Sequence, residues 1–140
     1  MKQELDEALC AKYPLIFKDR HVNMRTTAMC WGLSCGDGWY TIIDVLCGLL
    51  SNEYWQASQR YESIKDKLNK PRWDGGKDIV TQEQIDTAKA KMEEEALKAP
   101  VATQVKEKFG GLRFYVNAAT DDHYNYISFA ENMSYHTCEE

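Results

Sequence analysis

The segment Val101–Asn117 (VATQVKEKFGGLRFYVN) constrains the fold more than any other part of the chain. Apolar and polar residues alternate on both sides of a glycine pair, which is the pattern of a β-hairpin with one buried face. A two-residue loop prefers glycine, so Gly110-Gly111 is the expected turn. That turn predicts Lys108 opposite Arg113, Lys106 opposite Tyr115 and Gln104 opposite Asn117. Val101, Thr103, Val105, Leu112, Phe114 and Val116 then share the apolar face, and Glu107 falls among them as a blemish that the nearby turn lets reach water. Like charges directly opposite one another cost roughly 0.2–1 kcal/mol. An anion between Lys108 and Arg113 would offset that cost.

A chain of 140 residues predicts one domain, and it is long enough to bury a core without disulfides or a structural metal. With 44% hydrophobic residues it is not a disordered chain. The net charge of −5 makes it a poor generic binder of nucleic acid, which needs clustered Lys and Arg. Any cationic site is therefore local, and the acidic surface elsewhere suits a basic partner protein. The first residues, MKQELDEALCAKYPLIF, lack a signal-peptide apolar run, and no stretch reaches the ~20 apolar residues of a membrane span, so the cytosol is expected. Five cysteines, an odd number, fit reduced thiols in that compartment. Cys10 and Cys47 lie in amphipathic helical patterns, whereas Cys30 and Cys35 flank a loop.

Helical spacing predicts a first helix from Lys2 to about Lys12 with Leu5, Ala8, Leu9 and Lys12 on one side, which Pro14 ends or restarts. Residues 14–36 show no period and read mostly as loop. A second helix begins near Asp37–Trp39, with Asp37 as N-cap or first-turn acid and Trp39, Ile42, Ile43, Leu46, Leu49 and Leu50 facing inward. Tyr54, Ala57, Tyr61, Ile64 and Leu68 either continue it or form a separate helix after a break near Ser51-Asn52. Residues 70–80 carry loop signals. Thr81 is the expected cap of a charged helix with a thin stripe of Ile85, Ala88, Met92 and Ala96. Residues 70–98 thus read as a surface excursion or insert. Asp121 to Met133 forms the last helix, with Ile127, Ala130 and Met133 inward. The expected architecture is α+β: several helices packed on a small antiparallel sheet built around the hairpin.

Two segments are candidates for ligand binding. The polar hairpin face (Gln104, Lys106, Lys108, Arg113, Tyr115 and Asn117) combines cations, an aromatic plane and two amides. Arginine forks onto phosphate and an aromatic ring stacks on a base, so the set suits an anionic ligand with a flat ring. The plainer reading is an ordinary solvated strand face. In the second segment, Gly36, Asp37 and Gly38 precede Trp39 at a helix start, where close backbone approach and free N–H groups attract anions. GDG lacks the GxGxxG spacing and the Walker lysine, so a tight turn with Trp39 in the core is the plainer reading here.

His21, Cys30, Cys35, His123, His136 and Cys138 are the possible metal ligands, but Cys30-x4-Cys35 is wider than the usual close pairs of zinc sites, His136-x-Cys138 falls in a terminus expected to fray, and no metal is expected. GxSxG, HExxH and deaminase signatures are absent. His123 beside Asp121 and Asp122 reads as part of a helix start, and no catalytic residues are assigned.

KYPLIFKDR, CGDGWY with the following IIDVLCGLL, QVKEKFGGLRFYV and AENMSYHTCE together resemble a group of small proteins of tailed phages and prophages that has no assigned activity. The likeness covers the N-terminal segment, residues 30–50 and residues 100–138; residues 52–98 match much less well and look like a variable insert. Many members of the group continue past the last cysteine into CxxCG, whereas Glu139-Glu140 follow Cys138 here, which weakens a zinc reading further.

The resemblance implies a phage accessory protein in the cytoplasm of a bacterial host, and such small acidic proteins are often counter-defence factors. The leading expectation is a non-enzymatic, oligomeric binder that sequesters a nucleotide-type immune signal without a cofactor. Lys106, Lys108 and Arg113 would hold phosphate, Tyr115 with Trp39 or Trp73 would stack the base, and the Gly36-Asp37-Gly38 turn would add donors and an acceptor. The hairpin's cationic face should then adjoin that turn and line a pocket. One alternative is a protein inhibitor of a host defence effector, with Glu93-Glu94-Glu95 imitating nucleic-acid charge. Another is a small nucleotide-degrading enzyme.

Overall fold

The hairpin turns one residue earlier than the glycine pair suggests. In the computed structural model, which describes residues 1–68 and 80–140, the two loop residues are Phe109 and Gly110, with φ of 55° and 78°. Positive φ at both central positions is the mark of a type I′ turn, whose twist matches that of the strands. Gly111 instead enters the strand and pairs with Lys108. The ring of Tyr135 lies where a Gly111 side chain would go, so a close approach claims this glycine and Phe109 accepts the left-handed backbone.

Strands β2 (Val101–Lys108) and β3 (Gly111–Asn117) therefore pair Lys106 with Arg113, Glu107 with Leu112 and Val105 with Phe114. The predicted Lys108–Arg113 apposition becomes Lys106–Arg113. Because the register moves by two residues, the faces stay as alternation requires. A bulge between Ala102 and Gln104 shifts the far end, so Ala102 opposes Val116 and is fully buried, while Thr103 leaves the apolar set. Glu107 stays in β2 but its carboxylate reaches the turn, accepting from the Gly110 N–H at 2.7 Å.

The architecture is α+β, as expected, with a mixed rather than purely antiparallel sheet. A two-residue strand β1 (Leu33–Ser34) pairs parallel to β2, giving the order β1-β2-β3. Five α-helices are present among the described residues: α1 (Gln3–Lys12), α2 (Tyr40–Leu50), α3 (Asn52–Lys67), α4 (Gln82–Lys98) and α5 (Asp121–Ser134). The break at Ser51 makes α3 a separate helix.

The chain divides into two compact units, Met1–Ser51 with Ala99–Glu140, and Asn52–Lys98. The second unit thus begins at Asn52, before the 70–98 segment expected as a surface excursion. In that unit α3 packs on α4. Thr81 caps α4 reciprocally, its hydroxyl accepting from the Gln84 N–H and the Gln84 side chain accepting from the Thr81 N–H, both at 3.3 Å.

In the larger unit the apolar sheet face packs on helices. α5 lies against β3 and α2 against α5, with Trp39, Ile43, Leu46, Val105, Leu112 and Phe114 in the core. Phe17 meets Phe114 edge-on, centroids 6.4 Å apart. Thr120 and His123 form a capping box for α5, with Asp121 and Asp122 in its first turn. Two inward assignments fail: Leu49 is 42% and Met133 43% exposed. On α1 the buried positions are Asp6 and Leu9 rather than Ala8. Asp6 accepts from Arg20 Nε at 2.9 Å and from the Leu33 N–H at 2.9 Å, tying α1 to the following loop and to β1.

No helix among the described residues is long and apolar enough to cross a membrane.

Candidate functional site

The outward face of the hairpin forms one wall of a groove of about 560 Å³. β2 contributes Thr103, Gln104 and Lys106, and β3 contributes Tyr115, Val116 and Asn117. The opposite wall is Asp19 and Thr26–Ala28. The bulge at Thr103 bends β2 where this wall meets it. Thr27 locks the two walls: its hydroxyl donates to the Thr103 carbonyl at 3.3 Å and accepts from the Met29 N–H at 3.1 Å.

Inside the groove, Lys106 Nζ lies 5.6 Å from the centroid of the Tyr115 ring, within the range of a cation–π contact. Among the described residues Lys106 forms no ion pair, although it opposes Arg113 in the register. Tyr115 is 41% exposed, so part of its side chain remains accessible. The Gln104 and Asn117 amides add donors and acceptors, and among the described residues Asp19 is the one carboxylate in the lining. The cation, ring and amides of the predicted set thus share one concavity.

The other predicted residues lie elsewhere. Arg113 turns toward α5. One guanidinium nitrogen donates to the Leu112 carbonyl at 2.8 Å, and another donates to the Tyr135 hydroxyl at 2.8 Å. Glu131 approaches at 3.9 Å, and the bond to Tyr135 is the main reason that the Arg113 pKa rises. Its fork is therefore committed to an internal clasp. Lys108 stands at the hairpin tip, 5.4 Å over the Phe109 ring, outside the groove lining.

The Gly36-Asp37-Gly38 turn does present N–H donors, but the segment after α5 occupies them. The Gly36 N–H donates to the Glu139 carboxylate and the Gly38 N–H to the Glu139 carbonyl, each at 2.7 Å. A Cβ on Gly38 would fall 2.1 Å from the Cys138 carbonyl oxygen, so glycine is what admits this strap. Trp39 is 1% exposed and donates its indole N–H to the Thr137 carbonyl at 2.9 Å, which makes it a core residue and not a stacking platform. Asp37 accepts from the Lys2 N–H at 2.7 Å and pairs with the Lys2 ammonium at 3.1 Å. These bonds hold its carboxyl below the usual range. Burial pushes the neighbouring Cys35 thiol up to about 11. Gly36, Asp37, Gly38 and Trp39 are absent from the groove lining. Trp73 lies outside the described residues.

Sequence reasoning missed Asp19, Thr26, Thr27 and Thr103. Their loop has no period, and Thr103 was assigned to the buried face; the adjacent threonines at 26–27 before a helical turn were the available signal. Among the described residues no group of three His, Cys, Asp or Glu side chains is placed to hold a metal. The acids of α4 are partly neutralised on their own helix, Lys91 pairing with Glu94 and Glu95 and Lys98 with Glu94. No family model, curated protein or solved structure matches this chain.

Proposed function

We propose that this protein is a non-enzymatic binder of a small anionic ligand bearing a flat ring, of nucleotide type, and that the groove between the hairpin and residues 19–28 is its site. The supporting observation is the Lys106 ammonium, which forms no ion pair among the described residues, beside the part-exposed ring of Tyr115, with the Gln104 and Asn117 amides in the same concavity. Lys106 takes the phosphate, Tyr115 stacks the ring, and Asp19 accepts from a ribose hydroxyl or an exocyclic amine. Together with the resemblance to phage proteins, this reading makes the chain a counter-defence accessory that sequesters a nucleotide immune signal in the cytoplasm of a bacterial host. The alternative of an effector inhibitor imitating nucleic-acid charge draws less support, because lysines on the same helix pair with Glu94 and Glu95.

Calorimetry against cyclic nucleotides and ADP-ribose derivatives tests the proposal. A charge-assisted hydrogen bond contributes about 1.5–3 kcal/mol, so Lys106→Ala should weaken binding roughly 10- to 100-fold. Tyr115→Ala removes a stack of ~1–3 kcal/mol and should have a comparable effect. Arg113→Ala should have a smaller effect, because its donors are already engaged. The ligand should be recovered intact from the denatured complex. Binding that is indifferent to both Lys106 and Tyr115 would rule out this groove, and recovery of cleaved ligand would favour an enzyme.

A further inference from the structure

Helix α2 is apolar on nearly every side. Ile43, Leu46, Cys47 and Leu50 are buried in the core, yet Val45 on the outer side is 58% exposed and Leu49 is 42% exposed. A helix that is hydrophobic all round is ordinarily covered on all sides. Its neighbour α5 repeats the pattern, with Ile127 and Ala130 buried while Phe129 is 67%, Met133 43% and Tyr126 37% exposed. These outer residues line a groove of about 230 Å³ between the two helices, and among the described residues no charged side chain contributes to it.

We propose that this face is a self-association surface, joining two copies of the chain about a two-fold axis. Two features favour a second copy as the occupant. First, a projection and a recess lie on the same patch: Phe129 stands out beside the groove floored by Leu46 and Ala130. A two-fold interface needs that self-complementarity, since each copy offers its projection to the other's recess. Second, the described residues of the patch carry no charge, so two chains of net charge −5 meet there without setting like charges opposite one another.

The area also fits. Taking fully exposed aromatic side chains at ~150–250 Å² and aliphatic ones somewhat smaller, the five exposed residues present roughly 500 Å² of apolar surface per copy. That lies toward the upper end of the largest patch on a typical monomer, about 300–600 Å². Two such patches total roughly 1,000 Å², close to the apolar share, about 65%, of a standard interface of about 1,600 Å².

Sedimentation velocity on the full chain from about 1 to 100 µM, the concentration range of moderate dimers, tests the surface. The wild type should shift to twice the chain mass across this range. Phe129→Asp and Val45→Asp, both at exposed positions, should remain at the monomer mass with unchanged far-UV circular dichroism. A wild type that stays monomeric throughout overturns the proposal and leaves the groove to a different occupant. A dimer that persists in both variants also overturns it. Should either variant unfold, hydrogen exchange of wild-type α2 and α5 amides decides instead. Protection that rises with protein concentration supports the interface, and protection independent of concentration refutes it.

Discussion

Replacing Asp6 with alanine should be among the most damaging single changes in the larger unit. Asp6 is 5% exposed, and its two oxygens serve Arg20, the Leu33 N–H and the Cys10 thiol. Truncation would leave the buried Leu33 N–H without its acceptor, a cost of about 1–3 kcal/mol. It would also leave the Arg20 guanidinium without its carboxylate. Removing one member of a fully buried pair costs about 3–5 kcal/mol, but the Arg20 side chain is 20% exposed and recovers some hydration. The two losses overlap, so the net expectation is about 3–4 kcal/mol, which lowers the thermal midpoint by roughly 10–15 °C for a chain of this size. Asp6→Leu with Arg20→Met should be less harmful than Asp6→Leu alone, because the isolated charge is gone.

The pH dependence provides a second reading of the same carboxylate. Burial raises the Asp6 pKa, but the Arg20 hydrogen bond, the Leu33 N–H and the Arg20 charge together outweigh it, and the folded value lies below the ordinary one. A depressed carboxyl stabilises the fold fully above its unfolded pKa of about 3.9 and loses that contribution as pH falls through the folded value. The midpoint difference between wild type and Asp6→Ala should therefore be constant from about pH 5 to 8 and shrink below about pH 4. Circular dichroism melts across this series measure it. A loss under about 1 kcal/mol at pH 7, the size of an ordinary surface change, would refute the reasoning. A difference unchanged at acid pH while both chains remain folded would do the same.

Further outcomes follow from other elements. Phe109→Gly should raise stability by about 1 kcal/mol, because a non-glycine residue in the left-handed region is strained, whereas Gly110→Ala should lower it similarly; chemical denaturation compares the pair. Gly38→Ala should displace the Glu139 strap and speed hydrogen exchange at the Gly36 and Gly38 amides, with a stability loss of about 1–3 kcal/mol. Unchanged exchange there would contradict the strap. Alkylation at pH 8 should reach exposed Cys138 well before Cys10, whose thiol burial and then Asp6 push up to about 12, and should reach Cys47 last, since burial lifts it well above the usual thiol value. Mass mapping of modified peptides reads the order.

Local pattern decided a good deal of this molecule. Period-two alternation determined which side chains of Gln104–Arg113 face the core and which face out, and a register that moved by two residues left those faces intact. Helical spacing located α2, α4 and α5 closely, and cap chemistry located the start of α4 at Thr81, because those signals lie within a few residues of one another. Lys106 and Tyr115 share the outward face by the same alternation, although the register sets Gln104 rather than Lys106 opposite Tyr115.

Contacts between distant residues decided the rest. Gly111 and Phe109 exchanged roles because the Tyr135 ring lies against Gly111. Arg113 turned from the groove because the same Tyr135 offers it an acceptor 22 residues away. The N–H of Gly36 was claimed by Glu139, 103 residues along the chain, and a loop without any period supplied the second wall of the groove. Alternation and helical period specify which way a side chain leaves the backbone; whether a polar group there remains open to a ligand depends on which remote segment folds against it, and that only the tertiary structure decides.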